Sequence, residues 1–97
     1  MPDNIAYQAS RGNWIIHEDG STTDAQGGTR NNDLWDCLDD RSDDDSLSDG
    51  CIRIGTLNDL DAEWTGGFFD PTGKHFYVSV QHNSSGFGTI LDITGWK

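Results

Sequence analysis

The side chains with the most chemical potential in this chain are acids and histidines placed where strand-like segments meet loops. Asp3-Asn4 sets a carboxylate beside an amide oxygen, hard donors of the kind calcium collects six to eight of. The same pair is also an ordinary turn and strand cap. His17-Glu18-Asp19 adds two carboxylates and an imidazole at the end of a strand-like segment, or forms a plain polar loop. Glu63 precedes another such segment and His82 ends one. His82 is placed to ligate iron or hold a phosphate oxygen, or to be an exposed loop histidine. Asp3, Asn4, Glu18, Asp19 and Glu63 are thus the candidate metal ligands, with His82 a candidate for metal or substrate.

The densest charge lies elsewhere. Residues 39–50, DDRSDDDSLSDG, contain six Asp and one Arg. Against the calcium loop of EF-hands the run fails: its sixth position is Asp44, where that loop needs Gly, and its twelfth is Gly50, where it needs Glu. A solvated charge run is the expectation. Cys37 and Cys51 bracket it and can make one intrachain bridge; the alternative is two free thiols. A bridge would need an oxidising compartment, and by closing a loop of about 15 residues it would contribute roughly 3 kcal/mol.

Other chemistries find no support. There is no Gly-x-Ser-x-Gly elbow, no phosphate loop and no zinc-type cysteine pairing. Ser84, Ser85 and His82 are close in sequence but do not make a triad. Trp14, Trp35 and Trp64 read as core residues rather than as a carbohydrate platform.

The elements that must position these groups are strands. At 97 residues, 33% apolar and with 12 glycines, the chain has length for one domain and little apolar surface to spare. No segment keeps a 3.6-residue apolar period over three turns. The four Trp, four Phe and two Tyr suit sheet packing. Strands are expected over 4–8, 13–17, 33–38, 51–57, 66–69, 76–81 and 88–93. Phe76, Val78 and Val80 alternate with Tyr77, Ser79 and Gln81, and Asp70-Pro71-Thr72-Gly73 supplies the turn before them. A net charge of −11 speaks against nucleic acid and against an anionic membrane surface as partners. No apolar run reaches the length of a membrane span.

The chain also repeats itself. Ala6-Tyr7 and Trp14-Ile15-Ile16 match Phe68-Phe69 and Phe76-Tyr77-Val78, each 62 positions later, with Gly turns between. Repeated four-stranded antiparallel units are the mark of propeller blades. The expected fold is therefore all-β: blade-like antiparallel sheets amounting to about one and three-quarter blades of an incomplete β-propeller. A single unit over 1–97 would divide into a first sheet, 1–60, carrying the acidic loop, and a second, partial one, 61–97. Open sheet edges would favour self-association.

Pro2-Asp3-Asn4-Ile5-Ala6, Gly12-Asn13-Trp14-Ile15, Glu63-Trp64-Thr65-Gly66, Asp70-Pro71-Thr72-Gly73-Lys74 and Phe76-Tyr77-Val78-Ser79-Val80-Gln81-His82 together resemble the C-terminal part of the PhoX-type alkaline phosphatases. The resemblance implies a bacterial β-propeller metallophosphatase, exported to the periplasm or beyond, that hydrolyses phosphate monoesters with calcium and iron. It also implies that most of the catalytic loops, with the family's metal-binding cysteine, lie N-terminal to what is present here. No export signal stands at the start of this sequence, and the abrupt start fits a trimmed or truncated chain. The expectation is a C-terminal phosphatase fragment, inactive alone. The alternative is a small secreted acidic β-module that binds calcium or a partner protein without catalysis.

Overall fold

A computed structural model describes residues 2–20, 22–23, 26–38 and 50–96. The acidic run at 39–49 lies outside the described residues. Seven strands follow in order: β1 (Pro2–Gln8), β2 (Asn13–Glu18), β3 (Asp33–Cys37), β4 (Cys51–Thr56), β5 (Glu63–Phe69), β6 (Phe76–Gln81) and β7 (Thr89–Ile93). They form two antiparallel meanders, β1-β2-β3-β4 and β5-β6-β7. All seven expected strands are present and the described residues contain no helix. The largest difference is β5, which starts at Glu63 rather than at residue 66. Trp64 is buried and pairs with Val80, so tertiary packing extends the strand past its obvious apolar run.

The repeat is a repeat of register. Tyr7 pairs with Trp14 and Ala6 with Ile15; 62 residues on, Phe69 pairs with Phe76 and Phe68 with Tyr77. Each first strand also carries a register shift, between Pro2 and Asn4 in β1 and between Thr65 and Gly67 in β5. Such bulges sharpen the local twist and bend the strand.

Period-2 alternation decides which residues meet. Ala6, Ile15 and Leu34 project from one face of the first sheet, and Trp64, Phe76, Val78 and Val80 project from the facing side of the second. Leu57, Phe69, Ile93 and Trp96 pack around this cluster. Phe76 is fully buried at its centre, with Phe69 and Trp96 rings against it.

Polar bonds tie the two sheets at their margins. The buried Gln8 side chain donates to the Gly73 carbonyl at 2.8 Å. Asn32 donates to the Ala62 carbonyl at 3.0 Å, and the Trp64 indole donates back to the Asn32 carbonyl at 3.0 Å. The turn that presents Gly73 is the expected one. Gly73 N–H bonds the Asp70 carbonyl at 3.0 Å, and the Asp70 carboxylate accepts from the Thr72 hydroxyl and the backbone of Lys74 and His75. These bonds, the Thr72 hydroxyl first, hold the Asp70 carboxyl below its ordinary range. Gly73 has φ +73°, and a Cβ there would lie 2.0 Å from the Ser10 hydroxyl oxygen, so only glycine fits.

Cys37 and Cys51, opposite each other on β3 and β4, form a disulfide. A persistent disulfide is the chemistry of an oxidising compartment. Among the described residues no helix is long and apolar enough to cross a membrane.

Candidate functional site

β1 and β5 begin at the same end of the molecule, where β2 and β6 finish, and the chain there is acidic. Asp3 stands at the β1 bulge and accepts from the Asn4 amide at 2.9 Å. Asp19 follows β2, Glu63 opens β5 and His82 follows β6. These four, drawn from both sheets, interact. Asp19 lies against the Glu63 and Asp3 carboxyl groups. The His82 Nε2 lies 3.7 Å from Glu63 Oε2, which also accepts from Gln81 Nε2 at 3.3 Å.

Electrostatics follow from that crowding. Desolvation, and then the hydrogen bond and negative charge of Glu63, push the Asp19 carboxyl above its ordinary value. The hydrogen bond with Asp3 and the charge on His82 pull the other way. His82 has φ +57°, the one left-handed non-glycine among the described residues. Histidine visits that region more readily than most residues, but the conformation still costs about 1–2 kcal/mol.

The sequence candidates divide. Asp3, Asp19, Glu63 and His82 are brought together, and Asn4 joins through Asp3. Glu18 is turned to a structural task. Its carboxylate accepts from Asp33 N–H at 3.0 Å and from Arg30 at 3.4 Å, fixing the start of β3. His17 points the other way, into the core, because alternate residues of a strand face opposite sides. Its ring lies 5.7 Å from that of Phe76 and is fully buried, and neither nitrogen has a hydrogen-bond partner among the described residues. Burial lowers its pKa to about 4.

Sequence reasoning missed Gln81 as a neighbour of Glu63. The signal was available, since Gln81 is on the outward phase of the β6 alternation and pairs directly with Glu63. It also missed the clasp beside the cluster. Asp59 accepts from Ser84 N–H at 2.8 Å and from its hydroxyl at 2.9 Å, which lowers the Asp59 pKa and ties the β4–β5 loop to the loop after β6. A groove of about 430 Å³ runs alongside, lined by Asp61, His82, Ser84 and Phe87.

The donor set, three carboxylates and an imidazole, has the chemistry of a hard-cation site. Its present arrangement is carboxyl against carboxyl: among the described residues no three Asp, Glu, His or Cys side chains surround a point closely enough to hold a metal ion. No curated protein and no solved structure matches the chain. A family model, alkaline phosphatase PhoX, matches residues 1–84. That span takes in both paired hairpins, the acidic cluster and the disulfide: the chain belongs to the alkaline phosphatase PhoX family.

Proposed function

We propose that this chain supplies two blade-like sheets and an acidic, cation-accepting corner to a phosphomonoester hydrolase of the PhoX type. The observation that supports this most directly is the convergence of Asp3, Asp19, Glu63 and His82 from both sheets at one end of the molecule. In this reading residues 1–60 and 61–97 are successive blades of a β-propeller, with β1 and β5 innermost and their starts facing the substrate. Secretion to the periplasm or beyond accords with the disulfide.

Asp3, Asp19 and Glu63 would hold a calcium ion, with Asn4 contributing through its side-chain oxygen. His82 would reach an iron or a phosphate oxygen. A bound cation of this kind polarises a phosphoryl oxygen and stabilises the charge that develops on it. The residues themselves bind and orient: Gln81 holds the Glu63 carboxylate in place, and the Asp59–Ser84 clasp fixes the loop that carries His82. With only this corner in hand, the isolated chain does not turn over a phosphomonoester. Its acidity and its disulfide also suit the second reading, a secreted β-module that binds calcium without catalysis.

Calcium titration by calorimetry, on the wild-type chain and on Asp19→Asn and Glu63→Gln, tests the cation corner. Binding that both variants abolish is expected. Equal binding by all three proteins would move the cation elsewhere. Phosphatase turnover by the purified chain that disappears in Asp3→Ala would show that the corner is a complete site by itself.

A further inference from the structure

The groove beside the acidic corner shares a side chain with it. His82, whose Nε2 is 3.7 Å from Glu63 Oε2, also lines the groove, so the two are continuous. Segments within this chain form its walls: Asp61 comes from the link between β4 and β5, and residues 83–88 from the loop between β6 and β7. Both segments adjoin the paired ends Glu63 and Gln81, at the same end of the molecule as the corner. At about 430 Å³ the groove has the size of a small-molecule site.

The β6–β7 loop is braced, yet it displays a bare aromatic ring. Gly86 N–H bonds the Asn83 carbonyl at 2.8 Å, and Asp59 holds Ser84 through its N–H and its hydroxyl. The Asn83 amide, oriented to satisfy both its ends, donates to the Val80 and Phe87 carbonyls at 3.3 and 3.2 Å. These bonds fix the backbone on which Phe87 stands, while Phe87 itself is 77% exposed. Its chain neighbours, Gly86 and Gly88, have no side chains to cover it. A ring held out on a fixed backbone is ready to stack without further ordering cost. Asp61 brings a carboxylate to the same groove, and its own N–H is anchored on Asp59 at 3.0 Å.

We propose that the groove is the leaving-group subsite of the phosphomonoester, and that the leaving group it takes is a nucleoside. Resting on the cation corner of the proposed function, this puts the phosphate beside His82 and the base in the groove. The base stacks on Phe87, a contact open to every base because each has a π-face. Asp61 accepts from an amino or imino N–H on the base edge, a bond that an alkyl leaving group cannot supply. The net charge of −11 speaks against a polyanionic nucleic acid, whereas a mononucleotide brings one phosphate to a bound cation.

NMR of the aromatic rings tests this on the full chain, with the Phe87 signals identified by their loss in Phe87→Ala. Adenosine, adenosine monophosphate and glycerol phosphate are each titrated in calcium and in chelator. Adenosine is expected to shift the Phe87 signals in both buffers, since it carries no phosphate and needs no cation. Adenosine monophosphate in calcium is expected to bind more tightly, and Phe87→Ala and Asp61→Ala each to weaken it about tenfold. Both side chains are exposed, so neither substitution threatens the fold. Glycerol phosphate should be indifferent to both. Adenosine that leaves Phe87 unshifted, with nucleotide binding unchanged in both variants, would overturn the subsite even if calcium binds the corner. Adenosine that shifts Phe87 while calcium adds nothing to the nucleotide would uphold the nucleoside groove and remove the cation corner instead.

Discussion

Gln8 and Gly73 are 65 residues apart, and the buried amide of one donates to the carbonyl of the other at 2.8 Å. The bond joins the end of β1 to the turn between β5 and β6, so it latches one sheet to the other. The Gln8 oxygen in turn accepts from Arg11 at 2.9 Å, and Arg11 reaches the buried Asp36 at 3.2 Å. Replacing Gln8 by Leu leaves the Gly73 carbonyl buried with that bond gone and removes an acceptor from Arg11. Urea unfolding is expected to show a loss of about 1–3 kcal/mol. An unchanged midpoint would mean the latch carries no stability.

Phe76 should be the costliest single side chain to truncate. It is fully buried between the sheets and meets Phe69, Trp96 and the His17 ring. Phe76→Ala is expected to cost about 3–5 kcal/mol, enough to unfold a domain of this size at ordinary temperature. Its repeat equivalent Trp14, 36% exposed, should cost far less. Comparable losses at the two positions would contradict the difference in their burial.

The disulfide offers a separate handle. Cys37 and Cys51 close a 14-residue separation, and their bridge is expected to contribute about 3 kcal/mol by restricting the unfolded chain. Reduction, or paired substitution by Ser, should lower the melting temperature without altering the fold seen by circular dichroism.

Acid should weaken the fold through His17. Its folded pKa is lowered to about 4 from an ordinary 6.5, because burial penalises the charged ring. The neutral ring's contribution is fully present above the unfolded value of 6.5. It is lost as pH falls from there toward 4, since the unfolded chain takes up a proton that the folded one refuses. Thermal melts over that window should show stability falling with pH by up to one proton's worth of slope, and His17→Phe should flatten it. Asp19 acts in the opposite sense. Its raised pKa makes its contribution greatest below the unfolded value and diminishes it as pH rises through the folded one.

Calcium should stabilise the chain by linkage. A site formed only in the folded state gains about 2.7 kcal/mol at a hundredfold excess over its dissociation constant. Melting temperatures in millimolar calcium are expected to exceed those in chelator at matched ionic strength, and Glu63→Gln should abolish the gain. Identical curves for the wild type would remove the cation from the proposed function.

What the sequence determined by itself was everything that depends on neighbours along the chain. The alternation of Phe76, Val78 and Val80, the Asp70–Gly73 turn, the seven strands and the matched pairs Tyr7–Trp14 and Phe69–Phe76 are all local patterns, because strand periodicity and turn stereochemistry act over a few residues. The family, too, was legible in those short runs. Only the tertiary structure decided how one sheet docks on the other, and with it the membership of the site. Docking brought Asp19 to Glu63 across the sheet boundary and set Trp64 deep enough to extend β5. It also enclosed His17 without a partner for its ring nitrogens among the described residues. Those outcomes arise from contacts between residues tens of positions apart, where apolar burial between two faces outweighs the preference of any single polar side chain for water.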